Sequence, residues 1–228
     1  MNTTPMKRRV FVRTATRALG LLAFAGGLKS FTRAAAPAQP VSSELQEARK
    51  KILADLEANR GLAVPPEDGD FLHLMVCVTE ARRVLEVGTF KGYSAIRMGI
   101  GLEQTDGKLT TIEIDPERVK ESKANVAKAG LSDRVTCLEG DAHQVAKTVD
   151  GPFDLVFLDA EKGGEIDYFN TIFPKLHPGG FLLLHNALMY KRAMQPYFDL
   201  ISKHPEIIHV VLSLSMKDGF SVGYRKKR

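Results

Sequence analysis

Apolar residues along this chain change period several times, and each change predicts an element. From Val41 to Asn59 they recur every three to four positions. Leu45, Ile52, Leu53 and Leu56 share one side and Ser43 serves as N-cap, which predicts an amphipathic helix. A loop with Pro and Gly, Gly61–Gly69, leads to a second, largely apolar helix over Asp70–Thr79. Short β-branched and apolar runs then alternate with helical stretches. The runs Arg83–Val87, Lys108–Glu113, Val135–Glu139, Phe153–Leu158 and Gly180–His185 read as strands. Helices are predicted from Tyr93, over Pro116–Ala129 and over Tyr168–His177, and Pro116 at a first helical position with Gly130 just past the end fits the usual asymmetry. This interleaving predicts an α/β fold with a doubly wound, mostly parallel sheet whose ligands sit at the carboxyl ends of its strands. Two further runs, Ile207–Leu214 and Phe220–Arg225, flank Ser215-Met216-Lys217-Asp218-Gly219. They predict a hairpin, so the seven-stranded sheet should end in an antiparallel edge.

The stretch Val84-Leu85-Glu86-Val87-Gly88-Thr89-Phe90-Lys91-Gly92-Tyr93-Ser94 holds the strongest local signal. A strand ends in an acid, turns on glycine and enters a helix. Gly88 and Gly92 remove Cβ where a ligand must approach the backbone, and the helix start offers free N–H groups. The spacing G-x-x-x-G differs from the G-x-G-x-x-G of dinucleotide sites, and no G-K-[ST] follows. Glu86 and Glu113, flanking this loop at strand ends, suit a cationic, hydroxyl-bearing ligand better than a polyphosphate.

The formal charge of +5 hints at nucleic acid, yet seven of the 32 bases fall within residues 1–38, which contain no acid. The body keeps 25 bases against 27 acids, which argues against a broad phosphate-binding surface. Residues 1–38 read as a leader, set apart from the domain at 39–228. Arg8-Arg9-Val10-Phe11-Val12-Arg13 resembles the twin-arginine export signature. An Ala- and Gly-rich apolar stretch, Ala18–Leu28, follows, and Ala34-Ala35-Ala36-Pro37-Ala38 offers small residues for a signal peptidase. The plain alternative is a basic tail on a cytoplasmic protein. That apolar stretch is too short to span a bilayer comfortably, so no stable membrane span is expected after cleavage. Cys77 and Cys137 read as small buried apolar side chains rather than a disulfide.

Glu86, Gly88, Glu113, Asp159 and His185-Asn186 all fall at the carboxyl ends of predicted strands, hence along one rim. Glu113 closes the second strand, where an acid accepts ribose hydroxyls; an ordinary acid near the next helix start is the alternative. Gly140-Asp141-Ala142 either flanks an adenine or is a plain turn.

Taken together, the body from about Val41 to Arg228 resembles the cation-dependent, S-adenosylmethionine-dependent O-methyltransferases, the class that includes catechol and caffeoyl-coenzyme A methyltransferases. Four stretches carry the likeness: Val84–Ser94, Thr111–Pro116, Phe153–Lys162, and Pro178-Gly179-Gly180 with His185-Asn186. The resemblance implies a class I methyltransferase fold. It implies that Val64, Glu86, Gly88 and Ser94 line the cofactor, that Glu113 holds the ribose and that Ala142 approaches the adenine. It makes Asp159 a neighbour of the sulfonium side and a metal ligand together with His185 and Asn186. It makes Lys162 the group that takes the acceptor's proton, with a small-molecule hydroxyl as acceptor and a homodimer as the assembly. Without the family match, Lys162 would read as a solvated loop lysine.

Three features depart from the family. His185 stands where a carboxylate is usual, which moves preference from Mg²⁺ toward Zn²⁺ or Mn²⁺, or leaves His185 as a base with no metal. Glu165 stands where relatives often carry Tyr. The stretch Ala187–Arg192 lacks the aromatic the family often has after Asn186, so a catechol clamp is not assured. His73, His143, His177, His204 and His209 show no ligand spacing and read as structural or exposed. Two alternatives stand beside the small-molecule enzyme. One is a binding protein that keeps the fold without the chemistry; the other, disfavoured by the charge of the body, is a tRNA methyltransferase. Mass spectrometry of the native protein should find a start near Pro37 or Gln39, and an intact Met1 or Asn2 would defeat the export reading.

Overall fold

The chain is described by a computed structural model over residues 41–215 and 217–227. The leader expected at 1–38 lies outside the described residues. Two helices, α1 (Ser43–Ala58) and α2 (Pro66–Val78), precede the first strand, β1 (Arg83–Val87). Alternation follows: α3 (Tyr93–Leu102), β2 (Lys108–Glu113), α4 (Pro116–Lys128), β3 (Val135–Glu139), α5 (Ala142–Thr148) and β4 (Phe153–Leu158). After α6 (Glu165–Ile172) and a 3₁₀ turn (Phe173–Lys175) come β5 (Leu176–His185), α7 (Gln195–Lys203), β6 (Ile207–Leu212) and β7 (Phe220–Arg225).

The strands form one seven-stranded sheet in the order β3-β2-β1-β4-β5-β7-β6. The first five pair in parallel, and β7 runs antiparallel to both β5 and β6. The expected doubly wound sheet with an antiparallel C-terminal edge is therefore present. Alternate residues of the central strands feed two cores. Val84, Leu155 and Phe157 join a cluster with Leu72, Ile96 and Val126, while Leu85, Val156 and Leu158 join one with Phe169, Ile172 and Ile201. Both faces are covered, so the central strands read as largely apolar runs. Burial of each such side chain contributes about 1.5–3 kcal/mol.

Several boundaries differ from the sequence expectation. Ser42, not Ser43, caps α1: it is extended, and its Oγ accepts the Leu45 N–H at 3.2 Å. α2 starts at Pro66, inside the expected loop, because proline suits a first helical position and Glu67 and Asp68 favour the positive helix end. The helix expected at Tyr168–His177 starts at Glu165 and ends by Ile172. Pro174 has no N–H to continue it, and Leu176 and His177 already belong to β5. Two helices were not expected. α5 is capped by Asp141, whose side chain accepts the His143 N–H at 2.9 Å, and α7 opens with Pro196 in its first turn. The strand expected to run to Leu214 stops at Leu212. Both cysteines are free, Cys137 buried and Cys77 partly so. Among the described residues no helix is long and apolar enough to cross a membrane.

Arg49 ties α1 to the body. Its Nε donates to the Ala129 carbonyl oxygen at 2.9 Å, and its two terminal nitrogens form a fork on Glu103 at 2.9 and 2.6 Å. Ala129 follows the last turn of α4, where carbonyls lack helical partners. Arg49→Ala should lower stability by about 2 kcal/mol, since hydrogen bonds to charged groups contribute about 1.5–3 kcal/mol. Arg49→Lys should recover only part of this, because an ammonium cannot form the fork. Denaturant melts check both; a loss under about 0.5 kcal/mol for the alanine variant would mean the tie is ornamental.

Candidate active site

The strand order reverses between β1 and β4, and there a cavity of about 710 Å³ opens at the carboxyl ends of the strands. Its floor is a backbone contact. The Asp159 N–H donates to the Val87 carbonyl oxygen at 2.8 Å, and the Gly88 N–H donates to that of Ile112 at 2.9 Å. Gly88 has φ +94°, and a Cβ there would collide with the Asp159 carbonyl. The cavity is lined by Val64, Gly88, Ser94 and Glu113. Ala142, Asp159, Lys162 and Asn186 complete the set of sequence-expected residues found in its wall.

Glu113 is held by the loop it faces. Phe90 N–H donates to its Oε2 at 2.7 Å and Asp115 N–H to its Oε1 at 3.0 Å. Phe90 adopts φ +48°, a left-handed conformation unusual for an aromatic residue and stored where it orients this carboxylate. Glu86 is placed differently from Glu113. It is fully buried under the cavity and reaches it only through Ser94, whose Oγ donates to Glu86 Oε1 at 2.5 Å. Its Oε2 has no hydrogen-bond partner among the described residues. Burial pushes the Glu86 carboxyl up to about 7, against the opposing hydrogen bonds from Ser94 and Thr111 and with help from the charges of Asp159 and Glu113.

On the far side, the Lys162 ammonium lies 3.4 Å from Asp159 Oδ1 and 6.0 Å from the centre of the Tyr190 ring. Tyr190 lines the cavity, so the expectation that Ala187–Arg192 supplies no aromatic is corrected: the ring comes four residues after Asn186. Asn186 has φ +61°, which asparagine tolerates better than most residues. His185 sits outside the cavity wall, 3% exposed. Its Nδ1 is 3.3 Å from Asp159 Oδ1 and its Nε2 is 2.8 Å from Asp68 Oδ2. Burial alone would lower its pKa; the hydrogen bonds to Asp159 and Asp68 outweigh that and hold it up to about 9.

Sequence reasoning missed two groups. His143, at the start of α5, lines the cavity and bridges Asp167 at 2.5 Å and Glu161 at 2.8 Å. It stacks on Tyr168, whose hydroxyl donates to Glu161 at 2.9 Å. The Asp167 hydrogen bond raises its pKa, with Glu161 adding to it. This cluster ties α5 to the loop that carries Lys162. The other is Asp68, completely buried in the first turn of α2. Asp68, His185 and Asp218 each bring one ligand atom, all within 4.8 Å of one another. Glu165, the second departure, is buried and its Oε2 accepts the Gly163 N–H at 3.0 Å, fixing the same loop.

A backbone-held acid, a side-chain-free turn and a carboxylate beside an ammonium fit a nucleoside with a cationic end. Comparison with known proteins agrees. The O-methyltransferase family profile matches residues 35–217. The catechol O-methyltransferase of Niastella koreensis is 34% identical over 131 residues, covering 56% of this chain and 59% of that relative. The chain thus spans under two thirds of that relative's length. The O-methyltransferase of Bacillus cereus, solved in complex with SAH, superposes with TM-score 0.69 at 26% identity, covering 82% of this chain and 93% of the other. The O-methyltransferase TomG of Streptomyces achromogenes, solved in complex with SAM, gives TM-score 0.70 at 26% identity, covering 79% and 90%. The sheet is that of the class I methyltransferases.

The raised Glu86 carboxyl has a measurable consequence. The native state keeps this proton up to about pH 7, whereas the unfolded chain releases it near 4.5. The native state therefore binds more protons between those values, and stability falls as pH rises through that window, by up to about 3 kcal/mol. Glu86→Gln should flatten this dependence and leave the variant more stable than the parent at pH 8. Denaturant melts at pH 5 and pH 8 test it, and equal pH dependence in both proteins would remove Glu86 as the cause.

Proposed function

This chain belongs to the O-methyltransferase family, and from that premise we propose that it moves a methyl group from S-adenosylmethionine to a hydroxyl of a small phenolic or catechol-like acceptor. The observation that carries this is the meeting of three strand ends in one cavity: Gly88 after β1, Glu113 at the end of β2, and Asp159 after β4 with Lys162 beside it. When bound, the cofactor supplies an electrophilic methyl group on a positively charged sulfur.

The side chains present divide the remaining work. Glu113, its two oxygens already aligned by the Phe90 and Asp115 N–H groups, accepts ribose hydroxyls. Ser94, with Glu86 beneath it, and Gly88 shape the path for the amino-acid end, while Val64 and Ala142 supply apolar wall. Asp159 offers negative charge toward the sulfonium side. A phenol has a pKa of about 10, so it arrives protonated and needs a base. Lys162 is the amine in reach of the cavity; it takes that proton or stabilises the phenolate that results. Tyr190, close to the same ammonium, gives an acceptor ring a face to lie against. Positioning of two reactants in one cavity contributes much of the acceleration for such an in-line displacement.

The same reading takes the leader as a twin-arginine signal, the working assembly as a homodimer to which α1 contributes, and a divalent cation as part of the site. The near-neutral body supports a small acceptor over nucleic acid.

Calorimetry with S-adenosylmethionine should show one site per chain. With catechol as acceptor, Lys162→Met should lower kcat by about 10²–10⁴-fold, the usual range for a general base, with cofactor affinity changed little. No cofactor binding, with or without Mg²⁺, Mn²⁺ and Zn²⁺, would sink the enzyme reading; an unchanged kcat would remove Lys162 from the chemistry.

A further inference from the structure

We propose that His143 is a positioning residue: by bridging Asp167 to Glu161 it holds the loop that carries Lys162, and so keeps the Lys162 amine aimed at the acceptor. The bridge stands on geometry; its effect on rate rests on the methyl-transfer reading above.

The loop needs holding because of its sequence. Lys162 is followed by Gly163 and Gly164. Gly163 has φ +113°, with open space where a Cβ would stand. Two successive glycines give the chain freedom that it must lose if one side chain is to stay in place. Two acids take that freedom away. Past Lys162, the buried Glu165 accepts the Gly163 N–H at 3.0 Å. Before it, Glu161 accepts from the Tyr168 hydroxyl at 2.9 Å and faces His143 Nε2 at 2.8 Å. A Cβ on Gly164 would meet Glu161 Oε1, the His143 ring and the Tyr168 ring, so the loop and the cluster fill one space.

The His143 end is chemically exacting. Its other nitrogen, Nδ1, lies 2.5 Å from Asp167 Oδ2. An ionised carboxylate only accepts hydrogen bonds, and a neutral imidazole has a single N–H. Both contacts are therefore hydrogen bonds only in the imidazolium form. In the neutral form one carboxylate meets a lone pair, and the bridge opens on that side. The charged groups facing the ring are Asp167 from α6 and Glu161 from the loop, while Asp141, on the same element, caps α5. The Asp167 hydrogen bond, helped by Glu161 and against burial, holds the His143 pKa above its ordinary value. The bridge is thus complete through about pH 6.5 and is lost at higher pH.

The bridge joins two parts of one cavity. His143, Glu161, Lys162 and Tyr168 all line it. His143 directly follows Ala142 in the cofactor wall, whereas Lys162 lies 6.0 Å from the Tyr190 ring centre. A shift of about 1 Å in a reacting group can cost about 10²-fold in rate, so a loose loop would be felt in the chemistry even with the cofactor bound.

Methyl transfer from S-adenosylmethionine to catechol is measured in the parent, His143→Gln, His143→Arg and Gly164→Ala, with Mg²⁺ held constant. Amide hydrogen exchange of residues 161–165 is followed in the same proteins without ligand. The His143 and Glu161 side chains are 31% and 55% exposed, so substitution here leaves the core intact. His143→Gln cannot serve both acids and should lower kcat by about 10- to 10²-fold, with KM for S-adenosylmethionine within about three-fold. Gly164 has a helical backbone that alanine adopts, and the added methyl displaces the Glu161 carboxylate, so Gly164→Ala should do the same. Exchange should quicken by about ten-fold in both. Arginine donates to both acids and does not titrate in this range. The kcat ratio of parent to His143→Arg should therefore fall by about ten-fold between about pH 6 and pH 10, since the titration of Lys162 is common to both. An unchanged kcat in His143→Gln overturns the proposal, and so does a ratio independent of pH. A loss confined to KM for S-adenosylmethionine also overturns it, by making His143 cofactor wall alone. Failure of the methyl-transfer reading shows separately: the parent then neither binds S-adenosylmethionine nor methylates catechol, while exchange still quickens in the variants.

Discussion

The contact between Gly88 and the Asp159 backbone at the ends of β1 and β4 is the constraint on which the site depends. The two parallel strands stay paired to their ends, where the Asp159 N–H reaches the Val87 carbonyl oxygen at 2.8 Å. A side chain at position 88 would force the strand ends apart. The turn that glycine permits sends the chain through Phe90, whose N–H then points at Glu113. One backbone position thus helps place both the acid on β2 and the acid after β4, and both line the cavity.

Asp159 is the hub of the charge arrangement. Its Oδ1 faces the Lys162 ammonium at 3.4 Å and the His185 ring at 3.3 Å. Neither contact is short, so the carboxylate is steadied from two sides without being consumed by either. Lys162 is only about one fifth exposed, and its loop is fixed at both ends. Glu165 accepts the Gly163 N–H, and Glu161 is held by His143 and Tyr168. A lysine on a braced loop keeps its ammonium near one acceptor position, which a freely solvated lysine would not do.

What could be read from sequence followed from how local each cause is. The strands β1, β2, β3, β4 and β7 announce themselves because apolar runs are bounded by turn residues. The hinge at Val84–Ser94 is legible because glycine has a steric meaning wherever it stands. α5 was hidden by its seven residues, too few for a period to emerge, although Asp141 marked its start. The end of α6 was misread because the apolar pattern runs on through Phe173 and Leu176 while Pro174 breaks the hydrogen-bond ladder. Tyr190 has no local signal, because it stands four residues past Asn186 and only the fold of the loop brings its ring to the cavity. Asp68 had no local signal at all. Its meaning lies in His185, 117 residues away, and only the packing of α2 against α3 and the end of β5 brings them together.

That pairing links the outer helices to the chemistry. A wholly buried carboxylate is tolerable only while its partners are in place, and the partners of Asp68 come from the end of β5 and from the segment before β7. The native position of α2 therefore depends on the C-terminal hairpin, which presents Ser215 beside His185. The hairpin, in turn, is joined to β5 by antiparallel pairing that ends at His185 opposite Phe220. The element added last along the chain and an element that precedes the first strand meet on one side chain, and that side chain is the one whose other nitrogen steadies Asp159. A substitution at His185 that keeps its size but removes either hydrogen bond would leave Asp68 with Ser215 alone or Asp159 with Lys162 alone, so this one residue is tied both to the packing of α2 and to the site.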